Sequence, residues 1–192
     1  MMKKRWFLLA PLALGLALVG CKDDGDDDDD DNNSPAVASA STEIKSTDGK
    51  KLGVGTFSKN GDEVKLVVEI TAAETKGVQV GLHIHQKSAC DGSTSPPFTS
   101  AGDHWNPPKP DGDYGPANAS PNNGYLGELG KIALDDKGNG RLEFTTKNWK
   151  LGTGDYNEDV VGRSIILHVV DDTPDDGKGA PRQGCGVVAM NK

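Results

Sequence analysis

Over residues 64–70 the chain alternates: Val64, Leu66, Val68 and Ile70 are apolar, while Lys65 and Glu69 between them are charged. Side chains on a β-strand point to opposite faces in turn, so this run predicts a strand with one face on a core. Similar short runs predict strands over 43–46, 51–58, 78–86, 131–134, 141–145, 164–170 and 186–190. Turn residues that tolerate positive φ separate several of them: Asp48-Gly49, Asn60-Gly61 and the loop at 136–140, Asp-Lys-Gly-Asn-Gly. Helix signals are few. About eight short strands with such turns predict an all-β domain, an antiparallel sandwich or closed barrel. One connection breaks the rhythm. Roughly forty residues between Cys90 and Gly130 are rich in Gly, Pro, Asn, Asp and Ser, and a connection of that length is usually functional or disordered. It contains His104, which makes it a candidate site-building loop.

The chemistry concentrates in histidine, used only four times. Two of the four form His83-Ile84-His85 within the strand predicted at 78–86. Period two puts both imidazoles on one face and turns Leu82 and Ile84 toward the core. His104 lies in the long loop and His168 ends the apolar run Ser164-Ile165-Ile166-Leu167. Imidazole suits copper and zinc best among the common ions, so the four are candidate metal ligands.

The two ends of the chain differ in character. Lys3, Lys4 and Arg5 precede an apolar stretch at 7–18, the pattern of an export signal, too short for an ordinary membrane span. It runs into Leu18-Val19-Gly20-Cys21, which resembles the lipobox of bacterial lipoproteins. That resemblance implies cleavage after residue 20, lipid on Cys21, and an anchor in the bacterial cell envelope, on the periplasmic or outer-surface face of the outer membrane. Losing residues 1–20 removes three positive charges and no negative ones, taking the net charge from −8 to −11. Residues 22–31 hold one lysine and eight aspartates, −7 of that total, leaving −4 from Asn32 onward. Such a run cannot bury anything, so 21–41 reads as a solvated tether and 42–192 as one domain. Nothing basic, repeated or rich in aromatics points to nucleic acid. With Cys21 lipidated, Cys90 and Cys185 remain, and in an exported protein an even pair reads as a disulfide, two free buried thiols being the alternative. Closing so long a loop is worth up to about 4–5 kcal/mol in the chain-entropy model.

Taken in order, these pieces resemble the copper/zinc superoxide dismutases over nearly the whole domain, and the bacterial periplasmic branch most. The carriers are Gly81-Leu82-His83-Ile84-His85, Cys90, Ala101-Gly102-Asp103-His104-Trp105-Asn106-Pro107, Gly115-Pro116, Leu126-Gly127, Gly162-Arg163, Leu167-His168-Val169 and Arg182-Gln183-Gly184-Cys185-Gly186. The resemblance implies an eight-stranded Greek-key barrel or sandwich, immunoglobulin-like in type, with long site-building loops. It also implies dismutation of superoxide to dioxygen and hydrogen peroxide by a Cu(II)/Cu(I) cycle.

By position, His83, His85, His104 and His168 match the four copper ligands, and His104 the one that bridges to zinc. Arg182 matches the arginine that guides superoxide to copper, Cys90 and Cys185 the intrachain disulfide, and Asp172 the carboxylate supporting the copper and zinc histidines. The zinc site does not carry over. Its two other histidines fall on Asp113 and Tyr125 and its aspartate on Glu128. Zinc prefers four close ligands in a tetrahedron, so the departure implies a copper-only enzyme, the alternative being zinc held loosely by Asp113, Glu128 and water. In place of zinc, Glu128 or Asp113 is expected to accept the hydrogen bond of the far nitrogen of His104, with Glu128 favoured for its reach. The stretch from His168 to Cys185 is shorter than in most relatives, which implies a more open channel. The four histidines alone would also suit a copper store or delivery lipoprotein; Arg182 favours the enzyme, since a store needs no anion guide. A monomer and a homodimer both fit the sequence.

Overall fold

A computed structural model describes residues 38–107, 109, 113, 115–116, 118–170 and 180–192. The leader, Cys21, the aspartate run and Asp172 lie outside the described residues.

Among the described residues the chain forms nine strands: β1 (Ser39–Lys45), β2 (Lys51–Asn60), β3 (Glu63–Ile70), β4 (Gln79–His85), β5 (Glu128–Ala133), β6 (Gly140–Thr146), β7 (Ser164–His168), β8 (Arg182–Val187) and the two-residue β9 (Ala189–Met190). All named pairings are antiparallel, in the order β5-β4-β7-β8-β1-β2-β3-β6, with β9 on β1. This is a nearly closed eight-stranded barrel. Partners that are not chain neighbours, β3 with β6 and β4 with β7, mark the crossovers of a Greek key.

Local chemistry accounts for the turns. Gly49, Gly61 and Gly138 all have positive φ, at 82°, 58° and 82°, where a side chain is disfavoured. Two strand boundaries differ from the sequence reading. β1 starts at Ser39, so 39–41 belong to the barrel and not to the tether, because Ala40 is fully buried and pairs with Phe57. The strand predicted over 186–190 divides into β8, which already starts at Arg182, and the short β9. Gly184 and Gly186 look like turn residues, yet they pair with Leu167 and Ile165. A Cβ on Gly184 would come within 2.9 Å of Ile44 and Leu52, so glycine lets β8 pack against the core.

The barrel interior holds Ile44, Leu52, Phe57, Leu66, Leu82, Ile84, Trp149, Ile165 and Leu167, all without solvent exposure. Leu82 pairs with Leu167 and Ile84 with Ile165, so the alternation of β4 and β7 aims these four inward. The outer face of the same strands is also buried, under the segment that follows β4. A small second core of Phe98, Ala101, Ile166 and Cys185, with Cys90 against it, seals that cover.

Candidate metal centre

His83 and His85 occupy the outer face of β4, as period two requires, and His83 lies across from Glu128 of β5 after a register shift. Beyond the loop, the chain returns beside β4 as an extra bridge. His104 pairs with His85, Trp105 N–H donates to the carbonyl of Ile84 at 2.8 Å, and Gln86 N–H to that of Asp103 at 3.0 Å. Trp105 is fully buried and its indole N–H donates to the Tyr156 carbonyl at 3.0 Å, which anchors this return. His168 closes β7 at a second register shift, opposite Arg182.

The four histidines meet. One ligand atom from each lies within 4.8 Å of the others, and all four side chains are buried. Three rings are oriented through Nδ1. His85 donates to the Gly102 carbonyl at 2.8 Å, His168 to the Ala180 carbonyl at 2.9 Å, and His104 to Glu128 Oε1 at 2.7 Å. A backbone carbonyl or a carboxylate oxygen accepts, so these Nδ1 atoms carry the proton and Nε2 keeps its lone pair. Nε2 of His85 is buried and makes no hydrogen bond, a costly state for a polar atom unless something binds it. Burial pushes His83 and His85 well below the usual histidine range, and the neighbouring imidazoles and the Arg182 guanidinium push the same way. The rings are therefore neutral, the form that ligates a metal. Four converging imidazoles, three of them oriented through Nδ1, fit copper.

Arg182 stands beside the cluster. Its Nη1 donates to the Phe98 carbonyl at 2.7 Å and its Nη2 to the Gly102 carbonyl at 3.0 Å. Cys90 and Cys185 are joined in a disulfide that closes a sequence separation of 95 and ties the covering loop to β8.

The copper/zinc superoxide dismutase family model matches residues 52–188, a span that holds every residue of this site. A protein of Deinococcus radiodurans named superoxide dismutase [Cu-Zn] is 34% identical over 185 residues, covering 92% of each chain. The chain belongs to the copper/zinc superoxide dismutase family. The dismutase named from Cordyceps militaris is 29% identical over 158 residues, 74% of this chain and 92% of its own. Among solved structures, a double mutant of an SOD-like protein from Bacillus subtilis superposes with a TM-score of 0.60 at 24% identity, covering 78% of this chain and 96% of its own. The Cu/Zn superoxide dismutase of Brucella abortus gives 0.59 at 19%, covering 78% and 98%. Both solved structures share this fold.

The positions matched to the zinc ligands lie close by. Glu128, 7% exposed, has Oε1 on His104 and Oε2 3.7 Å from His83 Nε2. Asp113 Oδ1 accepts the Gly115 N–H at 2.9 Å. The Tyr125 ring lies so close to Gly115 that a Cβ there would come within 2.4 Å of it, and the Lys109 ammonium sits 4.8 Å over the ring centre. Among the described residues, the four histidines form the one group of three or more metal-ligating side chains that converges.

Three residues of the dismutase site were not legible as such. Asn106, named above only as part of the His104 motif, is buried and hydrogen-bonded to Glu128. Gln183 donates to the His168 carbonyl at 2.5 Å, while its own carbonyl accepts the Glu74 N–H at 2.9 Å. Phe98 turns its carbonyl to Arg182 from a left-handed backbone, φ 62°. Each works through a backbone atom or a side chain from a distant segment, and only its polarity or its place beside a motif hinted at it.

Proposed function

We propose that the chain is a copper-only superoxide dismutase, with His83, His85, His104 and His168 holding the metal and Glu128 standing where zinc would. Copper bound there supplies the one-electron cycle that oxidises one superoxide to dioxygen and reduces the next to hydrogen peroxide. The residues of the chain do the rest. His85 and His168 keep their Nδ1 protons on carbonyls, so their rings cannot rotate away. His104 keeps its Nδ1 proton on Glu128, which orients the ring and makes its other nitrogen more basic. Arg182, fixed by two carbonyls, presents a localised cation to an anionic substrate on a protein of net negative charge.

The observation that carries this reading is the convergence of four buried imidazoles, with His85 Nε2 lacking any protein partner, beside a guanidinium. A copper store also uses four imidazoles, but the doubly anchored Arg182 favours turnover. Stopped-flow decay of superoxide with copper-loaded, zinc-free protein tests it. Fast catalytic decay is expected, and decay no faster than with metal-free protein would leave a carrier.

The proposal extends to the chain's setting. Residues 1–20 direct export, Cys21 takes lipid, and 22–31 form an acidic spacer that holds the barrel off the bacterial envelope membrane. The dismutase then meets superoxide at the cell envelope. Mass analysis of the membrane fraction, expected to find the chain beginning at a lipid-modified Cys21, checks this.

A further inference from the structure

Asn106 joins three separate segments. Its Nδ2 donates to the Asp113 carbonyl at 2.9 Å and to Glu128 Oε1 at 3.0 Å, while its Oδ1 accepts the Gly127 N–H at 3.0 Å. It is 5% exposed, and all three bonds are internal. Every hydrogen-bonding capacity of a buried primary amide is engaged except one acceptor lone pair. Gly127 is equally constrained, since a Cβ there would come within 2.5 Å of the Ile84 carbonyl and 2.8 Å of the Trp105 nitrogen. Asn106 thus braces the His104 segment against the segment that carries Glu128.

We infer that Asn106 is a positioning residue that commits the Glu128 carboxylate to His104. The inference rests on the copper-only reading of Glu128. A glutamate side chain has three rotatable bonds, and this one has two histidine neighbours. Oε1 meets His104 Nδ1 at 2.7 Å, whereas Oε2 is 3.7 Å from His83 Nε2. Nothing about a carboxylate prefers one imidazole over the other. The second donor on Oε1 breaks the tie: Asn106 Nδ2 fixes that oxygen where the proton of His104 reaches it. Without it, the carboxylate is free to turn toward His83, and His104 loses the partner that sets its tautomer.

The test is proton NMR of the full-length protein loaded with Cu(I), which is diamagnetic, comparing exchange with solvent of three ring protons. Those of His85 and His168, on the carbonyls of Gly102 and Ala180, serve as internal references. In Asn106→Ala, exchange of the His104 Nδ1 proton is expected to accelerate by about tenfold or more, the scale of one lost hydrogen bond, with the references unchanged. Asn106→Asp, which keeps an acceptor for Gly127 but cannot donate to Glu128, should do the same. Equal acceleration of all three protons, or of none, would overturn the proposal. Should neither variant fold, the wild type decides it: two inequivalent, protected Asn106 amide protons are expected, and amide protons exchanging as fast as exposed ones would overturn it. Zinc uptake by the wild-type protein separates the two ideas. An equivalent of zinc bound at Glu128 sinks the copper-only reading, whereas negligible zinc with an unchanged His104 proton sinks the brace alone.

Discussion

His85 and Arg182 share one acceptor, the carbonyl oxygen of Gly102, at 2.8 and 3.0 Å. A ring of the histidine cluster and the cation beside it are thus positioned by a single backbone atom. The other guanidinium nitrogen takes the Phe98 carbonyl, so the planar fork of arginine is used at both tines.

Arg182→Lys tests that use. An ammonium carries the same charge but cannot reproduce a planar fork across two carbonyls. We expect kcat/KM to fall on the order of tenfold and its decline with added salt to become shallower, with copper content unchanged. Arg182→Ala should lose more and show the weakest salt dependence. Steady-state rates across a series of ionic strengths check both; identical salt slopes for all three proteins would exclude a guiding role.

Glu128→Ala removes the acceptor for both His104 Nδ1 and Asn106 Nδ2. Two buried donors left without a partner cost about 1–3 kcal/mol each. Loss of a hydrogen bond behind a metal ligand typically costs about 10–100-fold in affinity or activity. A lowered melting temperature together with weakened copper affinity is expected, the latter by competition with a copper chelator. A variant with native copper affinity would mean that His104 needs no partner there.

Opening the disulfide should act at the site as well as on stability. Cys90 and Cys185 hold the loop that supplies the Phe98 and Gly102 carbonyls against β8, where Arg182 begins. The double substitution Cys90→Ser, Cys185→Ser is expected to lower stability by up to about 4–5 kcal/mol. Its activity should fall even where the protein is fully folded. Denaturant melts paired with turnover measured below the transition check this, and full activity in the folded variant would contradict it.

The metal-free protein should be acid-sensitive in a defined direction. Burial holds His83 and His85 well below the usual range, so the unfolded chain binds protons that the folded chain refuses. Stability is complete above the unfolded histidine value of about 6.5 and is lost as pH falls from there toward the lowered folded values. Denaturation midpoints of metal-free protein should therefore drop between about pH 7.5 and about pH 5. A flat or rising profile would show that the rings are not held neutral.

Much of the barrel was legible because its signals are local. The alternation at Val64, Leu66, Val68 and Ile70 marks β3, and His83-Ile84-His85 declares which face of β4 carries chemistry. β8 was misplaced at its start because Gly184 gives a local reading no strand signal; the small size of Gly184 and Gly186 answers to Ile44 and Thr42, about 140 residues away in the chain. The site shows the same division. Ligand types and spacing appear in the sequence, but a carbonyl acceptor such as that of Gly102 or Phe98 belongs to no residue type. Asn106 next to Pro107 satisfies every rule for a turn, and its amide acquires its partners only when 113 and 127–128 fold against it.

Metal stoichiometry decides whether this copper site functions without zinc. The protein is loaded with copper and zinc together, its metals counted by mass spectrometry, and superoxide turnover measured on the same sample. An equivalent of copper, negligible zinc and fast turnover are expected. An equivalent of zinc alongside the copper, or copper bound with no turnover, would contradict that expectation.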